Sequence, residues 1–139
     1  LLYLSAFFEK HRDAYVEHLL RVSQVGAWTD WARFFLEGVA EQSRDAIVRS
    51  QQLLNLWQEY RGRLQTARSS ALSLQLVDAL FESPVITIPR VQLLLGVTHR
   101  TAQLHVERLE AEGVLTEMTG QQRNRIYIAR RIIEIIDTE

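Results

Sequence analysis

LGVTHRTAQLHVERLEAEGVL, Leu95 to Leu115, decides how this chain is read. Gly96 closes one helical pattern, and Thr98 is placed to cap the next. Within that next helix Ala102, Val106 and Leu109 recur at spacings of four and three, so they share a face and point inward. Gly113 then stops the helix before an apolar run. Two short helices joined by a tight turn, the second with a polar outer face, are the layout of a helix-turn-helix.

The outer face follows from the inner one. Arg100, Gln103, Leu104 and Glu107 lie opposite the buried trio, with His99 at the helix start. Arg and Gln are the side chains that make paired contacts to guanine and adenine edges in the major groove. Thr98, Thr101 and the free N–H groups of the first turn are suited to a phosphate. Leu104 is discordant. It fits a thymine methyl, but an exposed Leu is also the mark of a protein contact.

Outward from this stretch the pattern continues. Upstream, Ala71 to Phe81 reads as a short apolar helix ended by Pro84, and Val85 to Ile88 as a strand. Thr87 caps a helix carrying Pro89 in its first turn, a position Pro prefers. Downstream, Val114 to Thr119 and Ile126 to Ala129 read as two strands joined by the polar tip GQQRNR, Gly120 to Arg125. The amphipathic RRIIEIIDTE closes the chain. Helix, strand, helix, turn, helix and hairpin, in that order, predict a winged helix-turn-helix over residues 68–139. The tip places Arg123 and Arg125 ahead of Arg130 and Arg131, with no acid between Met118 and Ile133. Such a cluster suits phosphates or a minor groove. Charge balance argues the other way. From Ser69 onward seven Arg face nine acids, a net −2. Phosphate neutralisation supplies most non-specific affinity, so a net-negative reader needs well-sorted charges.

Residues 1–67 are helical in pattern. From Ser5 to Gln24, Phe8, Tyr15, Leu19 and Val22 recur at helical spacing, with Ser5 as cap and Gly26 as stop. After GAWT a long helix begins near Thr29 or Asp30. Its stripe of Trp31, Phe35, Val39, Ala46, Ile47, Leu53, Leu54, Trp57, Tyr60 and Leu64 has no Pro and must bury itself on something. Gly62 weakens the pattern, and the small polar TARSS, Thr66 to Ser70, reads as the boundary between domains. The expected architecture is mainly α: a helical hairpin, a long connecting helix, and a winged helix with a small β-hairpin.

The totals exclude several classes. With no Cys there are no disulfides or thiolate metal sites, and a reducing, cytoplasmic setting is expected. The net charge of −1 gives no global pull toward nucleic acid or acidic membranes. No apolar run is long enough for a membrane span, and no secretion signal is visible. His11 and His18, seven apart, lack a third ligand and read as surface residues, so no metal site is expected. Glu110/Glu112 and Glu37/Glu41 read as solvated helix faces. The Trp28, Trp31, Phe34, Phe35 cluster reads as core. No nucleophile elbow, P-loop or dinucleotide fingerprint is present.

LLYLSAFFEKHRDAYVEHL (Leu1 to Leu19) and GAWTDWARFFLEGV (Gly26 to Val39) together resemble the C-terminal part of the Fic/DOC family core. Many bacterial Fic proteins of this type continue through a long helix into a winged helix, with text similar to RSSAL, ITIPRVQLLLGVT and GQQRNRIYIA here. The resemblance implies AMP transfer from ATP, with Mg²⁺, to a protein hydroxyl in the complete parent. That chemistry belongs to a signature close to HPFxxGNGR, which no stretch here matches. None of His11, His18, His99 and His105 is followed by Pro-Phe, and Ser5 and Glu9 lack the Gly or Asn that completes the inhibitory pattern. No catalytic residue carries over, and no cofactor is expected in this chain. The apolar start, without Met, reads as the interior of a longer protein. Leu1, Leu2, Tyr3 and the long stripe are expected to seek a partner, most simply a second copy. The expected partners are duplex DNA or a protein target. The competing expectation is a winged helix that docks protein through Leu104 without binding DNA.

Overall fold

The computed structural model describes residues 3–66 and 71–137. It is mainly helical, with seven helices and one three-stranded antiparallel sheet among the described residues. The helices are α1 (Leu4–Lys10), α2 (Arg12–Val25), α3 (Trp28–Thr66), α4 (Ala71–Glu82), α5 (Ile88–Leu95), α6 (His99–Ala111) and α7 (Arg130–Asp137). The strands are β1 (Val85–Thr87), β2 (Thr116–Glu117) and β3 (Ile126–Ile128). The chain forms two compact units that divide inside α3, the first reaching Gln51 and the second starting at Gln52. Most of the stretch read as a boundary, residues 67–70, lies outside the described residues.

In the first unit, two helices occupy the span expected to be one. His11, with φ −113° and ψ 37°, ends α1 and precedes α2. A break resets the angular phase of a helix, so spacing counted across residues 5–24 finds the half-buried Phe8, Tyr15 and Val22 but includes the exposed Leu19 and misses Phe7. Phe7, not Phe8, is the buried ring. It packs on Phe34 at 5.2 Å and lies so close to Gly38 that a Cβ there would sit 2.5 Å from its ring. Ser5 lies within α1 rather than capping it, while Gly26 does end α2, in the left-handed conformation with φ 68°. Leu19 and Phe35 are exposed, and Trp28, expected in the core, is 65% exposed. Lys10–Glu41 at 2.9 Å and Arg21–Asp30 at 2.9 Å tie α3 antiparallel to the helices before it. The arm expected as one helix before α3 is broken into α1 and α2 at His11.

In the second unit, the last turns of α3 belong to the core. Leu56, Tyr60 and Leu64, at spacings of four, are buried with Leu76, Val77 and Leu80 of α4. Gly62 does not interrupt α3. Asp78 of α4 accepts hydrogen bonds from Trp57 Nε1 and Arg61, both at 2.7 Å. Glu59 binds Arg63 and Arg131, which brings the start of α7 to α3.

The sheet runs β1-β3-β2, with Ile86 opposite Tyr127 and Glu117 opposite Tyr127 on the other side. Tyr127 is buried and Ile126 exposed, the alternation expected of a half-covered strand. The first hairpin strand is shorter than the sequence indicated. Val114 and Leu115 are core residues, and pairing starts only at Thr116.

Candidate nucleic-acid interface

Helix α6 rests on α4 and α5 through Ala102, Val106 and Leu109, all fully buried. Thr98 caps it: the Oγ1 accepts from the Thr101 N–H at 3.3 Å and lies 3.0 Å from the Thr101 hydroxyl. One orphan donor of the first turn is therefore already satisfied. Thr98 and Thr101 act first on each other, which qualifies their expected role toward phosphate. His105 points sideways, its Nδ1 2.9 Å from the Oγ of the buried Ser73 on α4. Burial, then the nearby Arg108, pulls the His105 pKa below its ordinary value. His105 thus pins α6 to α4 as a neutral ring. Helical spacing does not signal this role, because the partner is a lone Ser on another helix.

With that inner face fixed, a rotation of about 100° per residue groups Arg100, Gln103, Leu104 and Glu107 on the opposite side. His99, Arg100, Leu104 and Glu107 are exposed and Gln103 is half-buried. Arg100 makes no hydrogen bond or ion pair among the described residues, so its guanidinium is free. Gln103 is engaged: its Nε2 donates to Glu107 Oε1 at 2.7 Å.

The β2–β3 connection is shaped by an acid. Glu117 accepts from the Thr119 N–H at 2.7 Å, from the Thr119 hydroxyl and from the Gly120 N–H at 2.9 Å. These bonds hold its pKa below the ordinary value, with the hydroxyl contributing most. Gly120 (φ 62°) and Asn124 (φ 54°) turn the chain through the left-handed region, where Gly and Asn are the tolerated types.

The four arginines at the tip therefore differ. Arg123 is exposed and without a partner among the described residues. Arg125 donates from Nε to the Gln121 carbonyl at 2.8 Å, and Tyr127, Glu117 and Glu110 raise its pKa. It braces the connection. Arg130 is exposed and, among the described residues, meets only Met118 Sδ, at 3.6 Å. Arg131 is taken by Glu59. The run without acids in the sequence is not a cluster of free cations in space.

The remaining candidates are Leu104 and Tyr3, both about half exposed, and Leu1 and Leu2, which lie outside the described residues. An open depression of about 490 Å³ follows one face of α3 through Thr29, Ala32, Arg33, Leu36, Glu37 and Ala40. Among the described residues no three His, Asp or Glu are grouped to hold a metal ion, and no helix is long and apolar enough to cross a membrane. No protein-family model matches this sequence.

Proposed function

We propose that this chain is the C-terminal part of a Fic-type protein and that residues 68–139 form a winged helix that binds duplex DNA. In this reading α5 and α6 are the helix-turn-helix, α6 enters the major groove, and the β2–β3 hairpin is the wing. The observation that carries it is the pairing of two guanidiniums without a partner among the described residues, Arg100 on the outer face of α6 and Arg123 at the hairpin tip, while Arg61, Arg63 and Arg131 are tied to carboxylates. Free cations displaced from counter-charges are what phosphate contacts need. The Fic part rests on the resemblance of residues 1–39. In the complete parent, ATP and Mg²⁺ would act upstream of this chain, and the winged helix would direct that protein to its site of action.

The experiment is fluorescence anisotropy with mixed-sequence duplex at low salt. Binding that weakens in Arg100→Ala and in Arg123→Ala, with a shallower salt dependence in each, supports the proposal. Affinity and salt slope unchanged in both variants overturn it.

A second reading has its own observation. Leu104 at 52% and Leu93 of α5 at 80% exposure put large apolar side chains on the outside of the unit. Exposed apolar area of this kind fits a protein partner. Under that reading Leu104→Glu abolishes association in light scattering, and duplex is not bound at all.

A further inference from the structure

Gln103 and Glu107 stand one turn apart on the outer face of α6, and their contact has a direction. A carboxylate only accepts, so the Gln103 amide must turn its NH₂ toward Glu107, as the 2.7 Å Nε2–Oε1 contact records. Its carbonyl oxygen therefore points elsewhere, and one N–H remains uncommitted. An unrestrained Gln on a helix surface has three rotatable bonds and an amide that flips freely. Here the contact with Glu107 restricts that freedom before any ligand arrives. A fixed oxygen beside a remaining N–H is the complement of one base edge in the major groove. Adenine presents an N6 donor next to an N7 acceptor; guanine presents two acceptors and cytosine a single donor.

We infer that Glu107 holds Gln103 as a pre-oriented reader of adenine, so that this chain selects duplexes carrying adenine at the base pair facing Gln103. The inference rests on the duplex-binding function proposed above and adds to it the base and the device that fixes it. Glu107 is a positioning residue in this arrangement. Its charge also opposes the phosphates, so its removal strengthens binding to any duplex while weakening discrimination among them. A side chain that merely supported the fold would not move those two quantities in opposite directions. Orienting the amide in advance raises selectivity because less rotamer freedom is lost on contact.

The test starts from selection of bound duplexes out of a randomised library, using the full chain and its Gln103→Ala variant. An adenine enriched by the native chain and lost with Gln103→Ala marks the position. Replacing that adenine by 7-deazaadenine, which removes only the N7 acceptor, should lower native affinity roughly five- to tenfold and leave Gln103→Ala unaffected. Glu107→Ala should lose the adenine preference while binding mixed duplex more tightly. Glu107→Gln should keep the preference, since its amide oxygen still accepts from Gln103. Both positions are on the outer face, and circular dichroism confirms that the variants fold. Enriched duplexes without a Gln103-dependent adenine overturn this inference and leave the duplex-binding proposal standing. An undiminished preference in Glu107→Ala overturns the positioning role. No duplex bound at any salt concentration overturns the proposal itself, and this inference with it.

Discussion

Replacing Asp78 with Ala should loosen the packing of the last turns of α3 on α4, within the second unit, by a calculable amount. The Asp78 carboxylate accepts from Trp57 Nε1 and from Arg61, each at 2.7 Å, and Arg61 also lies over the Trp57 ring at 4.9 Å. The indole contact is a charge-assisted hydrogen bond, worth about 1–2 kcal/mol when half-buried. The ion pair is worth less. Asp78 is 46% exposed and Arg61 27%, so solvent screening holds that part to about 0.5 kcal/mol. The sum is about 1.5–2.5 kcal/mol, or a fall of roughly 6–20 °C in melting temperature for a unit of this size. Urea unfolding followed by circular dichroism measures it. A double-mutant cycle with Trp57→Phe should return most of the coupling, and one with Arg61→Met the smaller share. Added salt should shrink only the second. If Asp78→Ala changes stability by less than about 0.5 kcal/mol, or the Trp57 coupling is zero, the hydrogen bond contributes nothing net and the ranking fails.

Gly38→Ala should destabilise the first unit, because its Cβ would lie 2.5 Å from the Phe7 ring. The helix propensity of Ala returns about 1 kcal/mol against an overpacking penalty of about 1–3 kcal/mol, and Phe7→Leu should restore the melting temperature of the variant. Stability should also depend on pH through His105, whose folded pKa is depressed. The unfolded ring takes up its proton first, so the contribution is complete above about pH 6.5 and is lost as pH falls from there toward the folded value. His105→Gln should remove that component from a series of melts. The chain is expected to self-associate, since Val16, Leu20, Leu36 and Ile47 are exposed on α2 and α3. Light scattering that shows a monomer at high concentration counts against it.

The second unit was legible in the sequence because its signals are local. Thr98, Gly96 and Pro89 mark helix ends, and Ala102, Val106 and Leu109 fix the phase of α6 within one short, unbroken helix. The first unit was less legible. Nothing in SAFFEKHRDAY announces the break at His11, where neither Pro nor Gly occurs, and with that break Phe7 joins Phe8 against the rings of α3 as the more deeply buried of the two. The candidate interface was legible only in part. Helical spacing puts residues on a face, and it found Arg100 and Gln103. It does not say which charges are neutralised, because the partners are far apart in the chain. Glu59 engages Arg131 across 72 positions, and Ser73 meets His105 across 32.

That distinction changes what a net charge means for binding. The seven Arg and nine acids after Ser69 suggest a weak field, yet a paired charge contributes little beyond its partner. Arg131 is withdrawn by Glu59, Arg125 is bound into its own loop and Arg108 is also engaged, so of the seven Arg90, Arg100, Arg123 and Arg130 meet no carboxylate among the described residues; three of these, Arg100, Arg123 and Arg130, lie on α6, the hairpin tip and the start of α7. Three phosphate contacts give a slope of log affinity against log salt near −2.7, or roughly a 40-fold loss between 50 and 200 mM. If all seven arginines met phosphates, the slope would approach −6 and the loss several thousand-fold. A salt titration of duplex binding separates the two without any variant. A slope near −3 means that the ion pairs persist in the complex. A slope near −6 means that Glu59 and its neighbours surrender their arginines to DNA, and the charges counted as paired were never withdrawn from binding.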